Sequence, residues 1–301
     1  MFGVTILGNN SALPAFDRHP TAQIVTLDQY QFLIDCGEGT QMQLSRYKIR
    51  RSRINHIFIS HLHGDHYFGL PGIITSMALL GRDTDLHIYA PPALKNILDN
   101  ILEVANTILP YHLHFHPITE EGILVEYPKF SVECFKVLHR IDCWGFLFRE
   151  RKKLRKINKE AIRFYNISSV NFERLKMGEN IITEDGKTVL NEEVTLPNKP
   201  ARSYAFCADT IYNEPIADKV KDVSLLYHET TYLKALEERA AARFHATTIQ
   251  AANIAVKANA ESLLIGHFSS KYENLNEFLT EATEVFPNTQ LAIEGVTYRI
   301  V

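Results

Sequence analysis

Ile57-Phe58-Ile59-Ser60-His61-Leu62-His63-Gly64-Asp65-His66 decides how the rest of this chain is read. A β-prone lead-in runs into three imidazoles and one carboxylate packed into six positions. A strand alternates faces with period two, so His61 and His63 leave its end on the same side. Gly64 permits a sharp turn, which carries Asp65 and His66 to a second point nearby. Imidazole and carboxylate are ligands for zinc and similar divalent metals. The spacing therefore predicts one metal on His61 and His63 beside another on Asp65 and His66.

Working outward, Gly3 to Leu7 is expected as a strand that breaks at Gly8-Asn9-Asn10-Ser11. Gln23 to Leu27 and Tyr30 to Ile34 alternate as a hairpin turning at Asp28-Gln29. Asp35-Cys36-Gly37-Glu38-Gly39 ends it, and a helix opens at Thr40. Downstream, Ile73, Ile74, Met77 and Leu80 recur at helical spacing, as do Leu94, Ile97, Leu98, Ile101 and Leu102. Phe130 to His139, Gly145 to Phe148, Tyr204 to Cys207, Val223 to Tyr227 and Leu263 to Ile265 read as strands. Helices are expected over Thr247 to Ala258 and Leu275 to Val285, and Leu291 to Val301 is expected to close the chain as a strand. Hairpins mixed with strand–helix units make an α/β chain of two mixed sheets with helices outside, an αββα sandwich. Besides the histidine-rich turn, strands stop at His139, Asp209, His228-Glu229 and His267. One rim of strand ends is where such folds build their sites.

With 46% hydrophobic and 22% charged residues, the 301-residue chain has the composition of a globular protein. No apolar run is long enough for a membrane span and no basic-then-apolar leader follows Met1, so neither span nor signal peptide is expected. Cys36, Cys134, Cys143 and Cys207 lie far apart without C-x-x-C spacing, which predicts free thiols and a cytoplasmic location. A formal net charge of −3 gives no general attraction to nucleic acid, so any RNA contact requires local positive charge.

Such a concentration lies between Arg149 and Arg202, where strand alternation lapses. Arg149, Arg151, Lys152, Lys153, Arg155 and Lys156 form a basic run that Lys159 and Arg163 continue, and polar sequence around Glu184-Asp185-Gly186-Lys187 follows. The segment is expected to project from the sandwich as an insertion with too few apolar residues for a core of its own. A basic run is ordinarily a solvated helix face. Here Phe164, Tyr165 and Phe172 interleave the charges, a mixture suited to RNA through phosphate contacts and stacking.

Together these motifs resemble ribonuclease Z, the tRNA 3′-processing endoribonuclease family of the metallo-β-lactamase superfamily. His61-Leu62-His63-Gly64-Asp65-His66 carries the superfamily likeness. The narrower likeness lies in Asp35-Cys36-Gly37-Glu38-Gly39-Thr40-Gln41, Gly69-Leu70-Pro71-Gly72, His228-Glu229-Thr230-Thr231, His245-Ala246-Thr247 and Gly266-His267-Phe268-Ser269-Ser270-Lys271-Tyr272. The resemblance covers nearly the whole chain, implying one metallo-β-lactamase-type domain over residues 1–301 with a tRNA-binding arm inserted at 149–202. It implies two zinc ions per subunit, other divalent metals being alternatives. One would sit on His61, His63 and His139, the other on Asp65, His66 and His267, with Asp209 bridging. It further implies precursor tRNA as substrate and a homodimer in which one arm grips tRNA cut by the partner, with neither membrane nor DNA involved. RNA contacts would fall on Arg151, Lys152, Lys153, Arg155, Lys156 and Lys271. The chain departs from the family pattern at Pro14-Ala15-Phe16-Asp17-Arg18-His19, at Ile167-Ser168-Ser169-Val170 and at Lys271.

Paired divalent metals suit phosphodiester hydrolysis, because they screen the phosphate charge and bring bound water to a pKa of about 7. Asp65 is then both ligand and orienter of the water. The leaving oxygen needs a proton, and His245 is the candidate acid, held charged by Glu229 against the dipole of the helix that follows. The alternative for His245 and Thr247 is helix capping alone. Asp35 and Glu38 are either supports of the ligand loop or turn residues, and His19 and His56 have no partner that the sequence names. Two rival functions are a small-molecule phosphodiesterase or hydrolase on the same scaffold, and a non-catalytic RNA-binding subunit. Deleting the inserted arm separates the first rival from the nuclease, and missing ligands would mark the second.

Overall fold

A computed structural model describes residues 1–301 except Lys152, Lys153, Glu184 and Lys199. Two compact units emerge, one comprising Met1–Tyr127, Ser131–Arg149 and Arg202–Val301, the other Pro128–Phe130 and Glu150–Ala201.

The larger unit is built on two seven-stranded sheets. In the first, the hairpin Ala22–Leu27/Tyr30–Ile34 pairs in register Leu27↔Tyr30, as its alternation predicts. Parallel strands Ile54–Phe58, Leu86–Ala90 and Leu113–Pro117 extend it. The second sheet sets Ser203–Cys207, Leu225–Glu229 and Leu263–Gly266 parallel beside the antiparallel Cys143–Glu150. Along Tyr30–Ile34 and Ile54–Phe58 both faces are buried, and the period of two sorts side chains between them. Leu33 and Ile57 join Leu44, Leu70, Ile73, Ile74, Met77, Leu94 and Leu98 in a helix-facing core. Phe32 and Phe58 point the other way and meet Phe148 and Phe146, each pair with ring centroids 5.3 Å apart. This aromatic layer joins the sheets, and the architecture is the expected αββα sandwich.

Two expectations need correction. The carboxyl-terminal segment is not one strand. Thr289–Leu291 pairs in the second sheet and Thr297–Arg299 in the first. Gly295, at φ +80°, turns the chain between them in a conformation that a side-chain-bearing residue resists. Nor does the insertion lack an apolar core. Ile162, Ile167, Leu175, Ile181, Val189 and Val194 form a small buried cluster, with Ile157, Ala161, Tyr165 and Phe172 packed on it. Among the described residues of the basic run, none is helical. The strand Cys143–Glu150 ends inside it, Lys156–Ile157 pairs with Thr195–Leu196, and the helix Lys159–Phe164 begins only beyond.

Candidate metal centre

Everything in the site follows from how Ile54–Phe58 ends. The chain leaves this strand through Ile59, Ser60 and His61, all fully buried, and enters the short helix Gly64–Tyr67. The Asp35–Gly39 turn backs this segment: Cys36 N–H donates to the His66 carbonyl at 2.7 Å, and Gly69 N–H to the Cys36 carbonyl at 2.8 Å. The approach is close enough that a Cβ on Gly37 would stand 2.4 Å from the Asp65 carbonyl oxygen.

All seven expected ligands converge. His61 Nε2 stands 2.9 Å from His63 Nδ1, and His139 Nε2 is 3.1 Å from that same atom. Asp65 Oδ2 lies 3.5 Å from His66 Nε2 and 3.6 Å from His267 Nε2. Asp209 divides its carboxylate between the two groups. Its Oδ2 is 3.7 Å from His61 Nε2, while its Oδ1 is 3.5 Å from His66 Nε2 and 3.2 Å from His267 Nε2. His139 sits two residues beyond the strand Phe130–Val137, and Asp209 two beyond Ser203–Cys207.

The residues behind the ligands fix their rings. His61 Nδ1 is 3.0 Å from Ser60 Oγ, His66 Nδ1 is 2.7 Å from Asp35 Oδ2, and His267 Nδ1 is 2.9 Å from Thr231 Oγ1. His139 Nδ1 donates to the Phe244 carbonyl at 2.8 Å. With Nδ1 so engaged, each of these rings turns Nε2 inward, the arrangement that metal-ligating histidines show. Asp35 is thereby a support of the ligand loop; it also accepts from Ser60 N–H at 2.7 Å and Ser60 Oγ–H at 2.8 Å. Glu38 is exposed and only lines the cavity mouth. Ser60 and Thr231 are supports that the sequence did not single out, since short hydroxyl side chains beside a turn carry no distinctive pattern.

The donor set fits a divalent metal pair. Among the described residues, His66 Nε2 and His267 Nε2 are buried with no hydrogen-bond partner, a costly condition that a metal ion relieves. His61, His63, His139 and Asp209 offer donor atoms within 4.8 Å of one another, as do Asp65, His66 and His267. Burial, then the neighbouring imidazoles, pushes His61 well below the ordinary histidine range and His63 to about 4, while burial lowers His139. Burial also opposes a charged His66, but Asp209, Asp65 and Asp35 outweigh it and raise its pKa well above the ordinary value. The Asp209 carboxyl is disfavoured as an anion by burial, yet His267 and His66 hold its pKa well below the usual range.

His245 completes the site. Its Nδ1 is 2.9 Å from Glu229 Oε1 and 3.9 Å from Asp209 Oδ2. The fully buried Glu229 also accepts from Thr210, Ala246 and Thr231 N–H groups and from Thr231 Oγ–H at 2.8 Å. Burial works against a charged His245, but Glu229 overcomes it and the pKa rises to about 9. Helix capping falls to Thr247, whose hydroxyl accepts from Gln250 N–H while Gln250 Oε1 accepts from Thr247 N–H. The imidazole itself lines a cavity of about 380 Å³ with Ser11, Ala12, Phe68, Arg140 and the metal-facing Asp65 and Asp209. Ala12 N–H donates to Asp65 Oδ2 at 2.7 Å, so the N-terminal loop also orients a ligand.

Residues 2–154 match the family model described as Anti-Pycsar protein Apyc1, a match that stops short of Asp209, Glu229, His245 and His267. The human tRNase Z, short form, superposes with a TM-score of 0.72 over 99% of both chains at 24% identity, a likeness of fold. Ribonuclease Z of Bacteroides fragilis is 41% identical over 297 residues, covering 98% of each chain. That of Bacteroides thetaiotaomicron is 42% identical over 301 residues, 99% of this chain and 95% of the relative. At that identity over nearly the full length, the chain belongs to the ribonuclease Z family.

Proposed function

We propose that this chain is an endoribonuclease that removes the 3′ trailer from precursor tRNA, using two zinc or similar divalent ions per subunit. The observation that carries the reading is Asp209, whose two oxygens face separate ligand clusters while His245, ion-paired to Glu229, stands beside the same carboxylate. Metal held by His61, His63, His139, Asp65, His66, His267 and Asp209 supplies Lewis-acid stabilisation of the phosphate charge and a nucleophile at neutral pH. The protein's own groups do the rest. Asp65, fixed by Ala12 N–H, orients the attacking water. Leaving a 3′-hydroxyl on the tRNA means that the bond between phosphorus and the 3′ oxygen breaks, and the incoming oxygen stays on the trailer phosphate. His245 gives the departing 3′ oxygen its proton, and Glu229 keeps His245 charged and aligned for that transfer.

The insertion supplies the RNA grip in this reading. Residues 150–201 hold 11 Lys and Arg against 8 Asp and Glu in a chain whose net charge is −3. Arg151 and Lys156 are exposed; Lys152 and Lys153, expected to contact RNA, lie outside the described residues. Of the three aromatics, Phe164 is 82% exposed, whereas Phe172 packs on the insertion's core and Tyr165 donates to Glu193. Phe164 is therefore the ring available to stack on a base. Lys271 lies over the Tyr272 ring beside the His267 loop and adds a phosphate contact. A homodimer in which one arm holds the tRNA that its partner cuts completes the proposal.

The test is incubation with a tRNA carrying a 3′ trailer, with and without chelator, mapping both new ends. A single cut leaving a 3′-hydroxyl, abolished by chelator, is expected. Deletion of residues 151–199 should abolish tRNA cleavage and spare hydrolysis of a small phosphodiester. Equal loss of both would remove the arm from the reading, and no cleavage of any trailer by metal-loaded protein would leave the non-catalytic reading standing.

A further inference from the structure

The function leaves four histidines unused across three neighbouring strands at one side of the first sheet. Parallel register sets His56 opposite His87 and His87 opposite His114, with Tyr89 opposite His116 in the next row. The rings stack across the strands: His56 on His87 at 5.0 Å, His87 on His114 at 4.7 Å, and Tyr89 on His116 at 4.4 Å. Asp85 stands just before the strand Leu86–Ala90 and two residues before His87, the same i, i+2 spacing as His61 and His63. Asp85 Oδ2 is 2.9 Å from His114 Nε2, and His116 Nε2 is 3.0 Å from His87 Nδ1. His56 is 93% buried, sends Nε2 to Tyr127 Oη at 3.0 Å and, among the described residues, has no hydrogen-bond partner for Nδ1.

We propose that Asp85, His87 and His114 form a further divalent transition-metal site, separate from the catalytic centre, on the open edge of this sheet. One donor atom from each lies within 4.8 Å of the others. Two imidazoles and a carboxylate are the donor set of zinc, nickel and related ions. His116 holds the His87 ring from behind, as Asp35 holds His66, and His56 supports it from the buried side. None of Asp85, His87 and His114 belongs to either ligand cluster of the catalytic centre. Asp85 and His114 are exposed, so an ion reaches them without unfolding the sheet.

Dialysis of the intact protein against micromolar Zn2+, followed by elemental analysis, tests the site. The double variant Asp85→Asn/His114→Gln should retain one metal equivalent per chain fewer than wild type, whatever the wild-type total. Its tRNA cleavage, and its thermal midpoint in the absence of added metal, should be unchanged, which shows that the catalytic centre and fold are intact. His112→Gln is the control, since that exposed ring lies 6.1 Å from His114 but outside the donor group, and it should lose nothing. Equal metal content in the double variant and wild type would overturn the proposal. So would the same loss in His112→Gln, which marks non-specific surface binding.

Discussion

The two halves of the catalytic centre are built from similar side chains, but their surroundings push the imidazoles in opposite directions. His61, His63 and His139 crowd three imidazoles around one oxygen of Asp209, and burial leaves them neutral. Asp65, His66 and His267 bring a carboxylate of their own, and Asp35 adds another behind His66, so that imidazole is held protonated. One half is a set of ready lone pairs. The other stores a proton that metal must displace. A contiguous motif thus yields two sites of different chemistry because Gly64 sends its two ends into different surroundings.

Removing the shared element should have the largest effect. Asp209→Ala takes an oxygen from both halves at once and leaves His66 and His267 facing a buried void. Losing several kcal/mol of charge stabilisation corresponds to cleavage falling by about a thousandfold or more. Metal content measured beside turnover checks this: both halves should load poorly. Full metal content with normal turnover would break the bridging role.

His245→Ala belongs to neither half and should leave metal content intact while cleavage drops at least about a hundredfold, the scale of a lost general acid. The pH profile separates acid from scaffold. His245 must carry its proton to act, so its contribution is full below about 9 and is lost as pH rises through that value. Glu229→Gln removes the carboxylate that raises it, so the alkaline limb should move to lower pH. An unmoved limb would assign that ionisation elsewhere.

How much of this was open to sequence reading depended on whether a signal was contiguous. The run from His61 to His66 declares itself because its ligands crowd into six positions. His139, Asp209 and His267 are single residues after unremarkable strands; their strand-end positions pointed weakly to one rim, and the family resemblance joined them into a ligand set before the structure brought them together. Ser60 and Thr231 were illegible, since a hydroxyl near a turn serves many purposes. Leu86–Ala90 and Leu113–Pro117 went unread as strands because His87, His114 and His116 interrupt the apolar pattern that marks such elements. The insertion's core was underestimated for a related reason: Ile162, Leu175, Ile181 and Val189 follow no period, and only folding gathers them.

The contrast between the halves sharpens further at Asp35. Asparagine tolerates the backbone there, at φ +53°, and keeps an acceptor for Ser60 N–H, so Asp35→Asn should fold. It removes the charge that His66 meets directly, whereas His61 meets Asp35 only through the neutral Ser60 hydroxyl. Metal affinity should fall about 10- to 100-fold in the Asp65 half and hold in the His63 half, the scale expected for an outer support. Titration with Co2+ followed by absorbance resolves the two affinities. Equal weakening of both would show that Asp35 serves the whole loop and not one ring.

The smallest effect is a proton count. In the metal-free protein the raised pKa of His66 contributes stability that is fully present below about 6.5 and is lost as pH rises through the folded value. Metal entering that half at neutral pH must therefore expel a proton, and its affinity should rise with pH up to the folded pKa of His66. The other half starts neutral, with His63 titrating only near 4 and burial lowering His61 and His139, so its affinity should change little around neutral pH. Calorimetric titration at pH 7 in two buffers of different ionisation enthalpy reads the protons directly. About one should appear with metal in the Asp65 half and none with metal in the His63 half. Asp35→Asn should reduce the first number and leave the second alone, which ties the stored proton to a named carboxylate.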